Sequence, residues 1–270
     1  MKRRAFLRVL ASAGAGAVVG GTSWGVHERL RLSTTRATLP VAGLPASFAG
    51  FRIALLTDIH RSGLVPADLV ANAVACAMRE RPDLIVLCGD YITQFETRFA
   101  NPVAELLSPL SAPAGVVAVM GNHDDERVMP AALIHRGIRV LREDRLRLTM
   151  GGDSVDLIGI GYWTQKVAKI APLIEGAATP ILIAHDPRRL HEAQTLGIPL
   201  VLSGHTHGGQ VAIPPIGPLN RFRFPIVEGT LRQRNTTLFV SRGIGTIYLP
   251  VRINCPPEVA ILTLARAERT

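Results

Sequence analysis

Cysteine is scarce in this chain, and the scarcity excludes a framework of several disulfides and a cysteine-rich zinc site as the means of holding it together. Cys76, Cys88 and Cys255 are the three cysteines in 270 residues; they permit at most one disulfide and have no zinc-finger spacing. Cys76 in a helical pattern, Cys88 in an apolar run and Cys255 before Pro256-Pro257 read as buried thiols. Internal repeats and low-complexity tracts are lacking as well, which removes solenoid and propeller architectures. So is a strongly apolar run of the roughly 20 residues that a spanning helix needs: Val9 to Gly25 is free of charge but shorter, and carries Gly14, Gly16, Gly20, Gly21 and Gly25. Acidic residues are outnumbered, 21 against 30 Lys and Arg, for a net charge of +9. Most of that excess is local, because Lys2, Arg3, Arg4, Arg8, Arg29, Arg31 and Arg36 against Glu28 place +6 of it in the first 36 residues. The remainder is nearly balanced, so the high pI does not argue for nucleic acid, and no nucleic-acid partner is expected.

What is present suits one large domain, since 270 residues with 47% hydrophobic content can bury a full core. The start reads differently. Lys2-Arg3-Arg4-Ala5-Phe6-Leu7-Arg8 followed by the Gly-rich apolar stretch resembles a twin-arginine export signal, with Lys2 where that pattern prefers Ser or Thr. The resemblance implies passage of the folded chain through the twin-arginine machinery to the periplasm or the outer face of the cytoplasmic membrane. The signal is either cleaved or kept as an anchor, and basic Arg29 and Arg31 would then suit anionic headgroups. The expected organisation is a signal or anchor over 1–36, a linker over 37–50 containing Pro40, Gly43, Pro45 and Gly50, and a domain over 51–270.

Within that domain one arrangement recurs: an apolar, strand-like run breaks into a polar cluster. Phe51 to Leu56 precedes Thr57-Asp58-Ile59-His60; Leu84 to Cys88 precedes Gly89-Asp90; Val116 to Met120 precedes Gly121-Asn122-His123-Asp124; Ile181 to Ala184 precedes His185-Asp186; Ile198 to Leu202 precedes Gly204-His-Thr-His-Gly-Gly-Gln210. Polar residues gathered at strand ends lie along one edge of a sheet, where open α/β architectures keep their sites. His205 and His207 stand two apart, so both side chains leave an extended backbone on one side, as a pair of metal ligands requires.

Helical spacing is expected over Pro66 to Arg79, Asn101 to Leu110, Met129 to Arg136, Lys166 to Ile174 and Arg188 to Leu196. Arg145 to Met150 and Ser154 to Ile160 flank Gly151-Gly152-Asp153 as a hairpin. After Gln210 the helical pattern stops, and Thr236 to Ser241, Thr246 to Leu249 and Val259 to Leu264 read as strands. Mixed βαβ units followed by strands predict an α/β fold of two mixed β-sheets packed face to face and flanked by helices.

The ordered set Asp58-x-His60, Gly89-Asp90, Gly121-Asn122-His123-Asp124, His185 and Gly204-His205-Thr206-His207 resembles the calcineurin-like metallophosphoesterase superfamily, from Phe51 to Leu264. The leader, Gly89-Asp90-Tyr91, Gly208-Gly209-Gln210, Ser241-Arg-Gly-Ile-Gly245, Asn254-Cys255 and Pro257-Glu258-Val259 are similar to its YaeI/YkuE-type phosphodiesterase branch. The resemblance implies a four-layer αββα sandwich and two divalent transition-metal ions. Asp58, His60 and His207 would hold one ion, Asn122, His185 and His205 the other, and Asp90 would bridge them.

The residue types fit that chemistry. Phosphoester hydrolysis near neutral pH calls for a hydroxide in line with phosphorus and positive charge on the non-bridging oxygens, which two ions about 3.5 to 4 Å apart supply. A nitrogen and oxygen ligand set without thiolate favours manganese, iron or zinc over copper or magnesium. Two divalent ions, Asp58, Asp90, a bridging hydroxide and a phosphodiester sum to zero charge, where further carboxylates would quench the positive field. His123, beside Asn122, is the candidate to protonate the leaving alkoxide or stabilise the transition state, or else supports the loop. The superfamily often has a second Asp, three residues after the bridge, that orients this histidine. Here Thr93 stands there, and Asp124 is the neighbouring carboxylate that could take its place.

Substrate identity is less legible. Ile213 to Val227 carries Pro214, Pro215, Pro218 and Pro225 with Arg221, Phe222, Arg223 and Phe224, and either grips a phosphate and an apolar tail or covers a sheet end. Arg221 and Arg223 are the candidate substrate contacts, and Tyr162 and Trp163 are pocket wall or core. The expected function is phosphodiester hydrolysis at the envelope, on a substrate that lipid linkage would suit. The alternatives are a pyrophosphatase on a nucleotide-linked lipid of the UDP-diacylglucosamine type and a non-catalytic metal-binding envelope protein.

Overall fold

The structure, a computed structural model, describes residues 24–218 and 220–268. The Arg3-Arg4 motif and most of the apolar stretch after it lie outside these residues. Among the described residues no helix is long and apolar enough to cross a membrane.

The predicted short apolar runs form parallel strands. The first sheet holds β1 (Ser33–Ala42), β14 (Glu258–Ala267), β2 (Arg52–Leu56), β3 (Leu84–Cys88), β4 (Val116–Val119) and β5 (Arg139–Val140) in that spatial order. The second holds β12 (Gly229–Gln233), β13 (Thr236–Val240), β9 (Leu200–Ser203), β8 (Pro180–Ala184), β7 (Asp153–Ile160) and β6 (Asp144–Met150). A two-stranded ribbon pairs β10 (Ala212–Ile213) with β11 (Gly217–Pro218). Helices α1 (Ala67–Arg79), α2 (Ala100–Leu107) and α3 (Val128–His135) cover the first sheet, and α4 (Val167–Ile174) and α5 (Leu190–Thr195) the second.

Strand periodicity explains why these runs are apolar throughout. In β2, Ile53 and Leu55 enter the core between the sheets while Ala54 and Leu56 face the helices. β3 repeats this with Leu84 and Val86 against Ile85 and Leu87, and β8 with Ile181 and Ile183 against Leu182 and Ala184. Central strands covered on both faces need no polar alternation. The outcome is the expected αββα sandwich, with the two sheets sharing one core that includes Phe48, Phe239 and Leu262. The hairpin is present as β6 and β7, antiparallel from Asp144↔Gly159 to Met150↔Asp153.

Two expectations are corrected. The linker over 37–50 is largely part of the domain: β1 pairs parallel with β14 from Ser33↔Glu258 to Ala42↔Ala267, and Leu44 and Phe48 are buried beyond it. Pro40 suggested a linker, yet proline is tolerated on an edge strand, where β1 lies. Thr246 to Leu249 is a loop, because Ile247 N donates to Gln210 Oε1 and Tyr248 turns to a φ of 60°.

Candidate dinuclear metal centre

The polar clusters emerge at the carboxyl ends of β2, β3, β4, β8 and β9 and converge between the sheets. Asp58, His60 and His207 form one group and Asp90, His185 and His205 another, the ligand atoms of each lying within 4.8 Å of one another. Asp90 stands between them: its Oδ2 is 3.4 Å from His60 Nε2 and 3.1 Å from His185 Nε2. Asp58 Oδ1 is 3.3 Å from His207 Nε2, and the Nε2 atoms of His60 and His207 are 3.1 Å apart. Asn122, on the β4 loop, lines the same pocket as Asp90 and His205, and its buried Oδ1 has no hydrogen-bond partner among the described residues.

The backbone is bent to achieve this. Asp58, His60, Asp90, His205 and His207 all have positive φ, between 48° and 71°, a region that side-chain-bearing residues avoid unless the surroundings hold them there. Glycine makes the close approach feasible. A Cβ on Gly121 would meet Asp90 Oδ1 at 2.1 Å, and one on Gly204 would lie 2.3 Å from both Asp58 Oδ2 and Thr57 Oγ1.

Hydrogen bonds aim the ligands. His185 Nδ1 lies 2.6 Å from the Cys88 carbonyl, which can only accept, so Nδ1 carries a proton and Nε2 is the atom turned to the centre, held there by a proton shared with Asp90 that a cation would displace. The Thr93 hydroxyl is 3.3 Å from both His60 Nδ1 and the His60 carbonyl; donating to the carbonyl, it accepts from Nδ1–H and leaves His60 Nε2 free. The backbone N–H of His205 donates to both oxygens of Asp58 at 3.0 Å.

Electrostatics point the same way. Burial lowers His60 to about 3 and His207 well below its ordinary value, so both are neutral near pH 7. Burial pushes Asp58 up to about 6, with His185 opposing and the Asp90 charge adding to the rise. Burial also lowers His185, but the Asp90 and Asp58 carboxylates outweigh it and raise His185 to about 10. This cluster of buried carboxylates and bare ring nitrogens binds either protons or cations. Its donors, including the unpartnered Asn122 oxygen, fit two divalent ions.

His123 and Asp124 separate in role. Asp124 does not face His123; it accepts from the backbone N–H groups of Asp90, Tyr91, Ile92 and Gly121 at 2.8 to 3.3 Å and clamps two ligand loops together. Burial raises Asp124 to about 7, with the Asp90 charge adding. His123 is oriented by backbone, its Nδ1 accepting from Gln94 N at 3.1 Å. The neutral ring therefore carries its proton on Nε2. Burial lowers its pKa, so the neutral donor form prevails near pH 7. Thr93, in place of the expected orienting Asp, serves His60 instead.

A pocket of about 440 Å³ opens over the centre, lined by Asp90, Asn122, His123, His205, His207, Arg188, Arg223, Phe224, Tyr162 and the 247–249 turn, among others. Arg223 is where the sequence placed it. Arg221 is not: its guanidinium lies 4.6 Å over the Phe222 ring and donates to the Ile216 carbonyl, outside the lining. Tyr162 is pocket wall and lies 5.3 Å from the His205 ring, while Trp163 is exposed elsewhere.

Residues 51–209 match the family described as calcineurin-like phosphoesterase. The chain belongs to that family. Among its relatives are phosphodiesterase YaeI of Escherichia coli, 31% identical over 226 residues that cover 80% of this chain and 83% of that one, and the uncharacterized metallophosphoesterase YkuE of Bacillus subtilis, 30% identical over 98% of both. In fold it is similar to the sulfate thiohydrolase SoxB of Thermus thermophilus, with a TM-score of 0.51 and 13% identity across 82% of this chain and 57% of that one. A calcineurin-like phosphoesterase with this ligand set is a metal-dependent phosphoester hydrolase.

Two residues that serve the centre escaped the sequence analysis. Arg188 lines the pocket, held by Asp186 at 2.9 to 3.0 Å and lying 5.6 Å over Phe224. Arg252 is fully buried and donates to the carbonyls of Arg242, Gly243, Gly245 and Cys255. It pins the loop after β13, whose Ile244 N in turn donates to Thr57 O of the β2 loop at 3.1 Å. An arginine inside the apolar run Tyr248 to Cys255 was the available signal.

Proposed function

We propose that this chain hydrolyses phosphodiesters at the cell envelope. The observation that carries the reading is Asp90 Oδ2, set between His60 of one ligand group and His185 of the other. Asp58, His60 and His207 would hold one divalent ion, Asn122, His185 and His205 would hold the second, and Asp90 would serve both, with manganese, iron or zinc matching the donors. Such a pair supplies charge for the phosphoryl oxygens and lowers the pKa of water. His123, kept neutral with its proton on Nε2, donates a hydrogen bond to the phosphate or the leaving oxygen. Arg188 and Arg223 face the anion, while Phe224 and the Tyr248-Leu249 turn offer an apolar side, which suits an amphipathic, lipid-linked diester.

The test is a panel of bis(p-nitrophenyl) phosphate, p-nitrophenyl phosphate and a nucleotide-diphosphate lipid, assayed on metal-replete protein. Diester turnover well above monoester turnover is expected. Hydrolysis of the nucleotide-diphosphate lipid alone would instead make the chain a pyrophosphatase. Envelope location rests on the twin-arginine motif, and replacing Arg3 and Arg4 by Lys should leave the folded chain in the cytoplasm; full export of that variant would remove the location from the reading.

A further inference from the structure

Among the described residues, more than half of the large apolar side chains that are exposed lie on three neighbouring segments, residues 24–30, 213–222 and 248–249. Phe222 is 85% exposed, Tyr248 70% and Leu249 62%, with Ile213, Ile216 and Trp24 also at the surface. Hydrogen bonds join the segments. Gly25 O accepts from Arg252 N at 3.0 Å, and Glu28 Oε2 from Asn254 N at 2.9 Å, which ties the helical residues 24–28 to the 251–254 stretch. That stretch binds the ribbon in turn, Ile253 O accepting from Ala212 N and Asn254 Nδ2 donating to Ala212 O, both at 2.9 Å. Beyond the ribbon, Asn220, Arg223 and Phe224 form one side of the pocket mouth and residues 247–249 another.

Exposed charge on these segments has one sign. Arg29, Arg31, Arg221 and Arg223 accompany the apolar residues, whereas Glu28 is buried and Glu228 pairs with Arg242. Apolar side chains ringed by arginine match the interface of an anionic bilayer, where rings and aliphatic tips enter the acyl boundary and guanidinium groups meet headgroups. The charge-free stretch Val9 to Gly25, preceded by Lys2, Arg3 and Arg4, joins the described structure at this same place.

We infer that the rim formed by Ile213, Ile216, Phe222, Tyr248 and Leu249 docks on the surface of an anionic phospholipid bilayer, so that the pocket mouth faces the membrane. This deepens the proposed function, since an amphipathic diester would then pass from bilayer to pocket without crossing bulk water.

Insertion can be read without turnover, which keeps its failure distinct from a failure of the phosphodiesterase reading. A polarity-sensitive fluorophore is attached to the full chain at Phe222→Cys or Ile216→Cys, and for comparison at Glu105→Cys on α2; the native cysteines are buried. With vesicles of equimolar phosphatidylglycerol and phosphatidylcholine, the probes at 222 and 216 should shift to the blue and be quenched by brominated acyl chains, and the probe at 105 should not. An anchor at the N-terminus alone would bring the chain to vesicles without that difference, so equal responses, or none, overturn the proposal. A blue-shifted 222 probe before vesicles are added would mean that the chain itself or a second copy covers the rim, which also overturns it. Equal insertion into phosphatidylcholine alone overturns the anionic assignment. A second arm uses Ile213→Ser/Ile216→Ser/Phe222→Ser, residues outside the pocket lining: hydrolysis of a soluble diester should be unchanged, and that of a vesicle-borne diester should fall on the order of tenfold or more.

Discussion

The two ligand groups differ in how they meet the solvent. Asp58 and His60 are fully buried and lie off the pocket, sealed by the loop that Arg252 pins after β13. Asp90, Asn122 and His205 line the pocket, and Asn122 and His205 are only half-buried. His207 belongs to the first group yet reaches the pocket wall. A sealed group holds its ion by enclosure, while an open one leaves room for substrate. The contrast teaches that the two halves of a bridged centre can divide retention and catalysis between them, with Asp90 as the shared element.

Breaking the shared element should have the largest effect. Asp90→Asn is expected to lose both ions and to lower turnover by about 10³ or more, as elemental analysis and diester assays would show. Retention of two ions would end the bridging assignment. Next comes His123, which lines the pocket and is proposed to act on substrate without holding an ion: His123→Ala should keep both ions and lose about 10² to 10⁴ in rate. The loss should be smaller for a nitrophenyl diester, whose leaving group hardly needs a proton, than for an alkyl diester. Metal loss in that variant would instead make His123 a ligand or a structural support.

Chelation sharpens the contrast directly. Metal content followed during dialysis against a chelator should fall in two phases, one ion leaving before the other, and His205→Ala should hasten the first phase only. A single phase for both ions would erase the distinction between sealed and open groups. The smallest effect is expected at the seal itself. Arg252→Met strands several buried carbonyls and should cost about 2 to 4 kcal/mol in denaturant unfolding, while merging the two chelation phases. Arg252→Lys should recover part of both.

The metal cluster was legible because its residues travel with the strands. Each apolar run is short, bounded and followed at once by its polar residues, so the segments carrying Asp58, His60, Asp90, Asn122, His185, His205 and His207 could be picked without coordinates, and the family resemblance named these as candidate ligands. Wherever a side chain acts on residues remote in sequence, the pattern was silent. Asp124 looked like an orienter for its neighbour His123, but it reaches back 34 residues to the Asp90 backbone. Arg221 and Arg223 alternate identically in sequence, and only the turn of the loop puts one in the pocket and the other on Phe222.

By itself, then, the sequence determined the layering of helices and sheets and the polar clusters that supply candidate ligands, because hydrophobic periodicity and strand-end motifs are local properties that a chain carries before it folds. Tertiary structure alone decided that β1 belongs to the domain, since ten backbone pairings with β14 lie more than 200 residues away in sequence. It also decided that Gln94 N sets the tautomer of His123, and that Arg252 closes one half of the centre. Backbone donors and carbonyls are the same in every residue, so what they hold is written in the fold and not in the residue types.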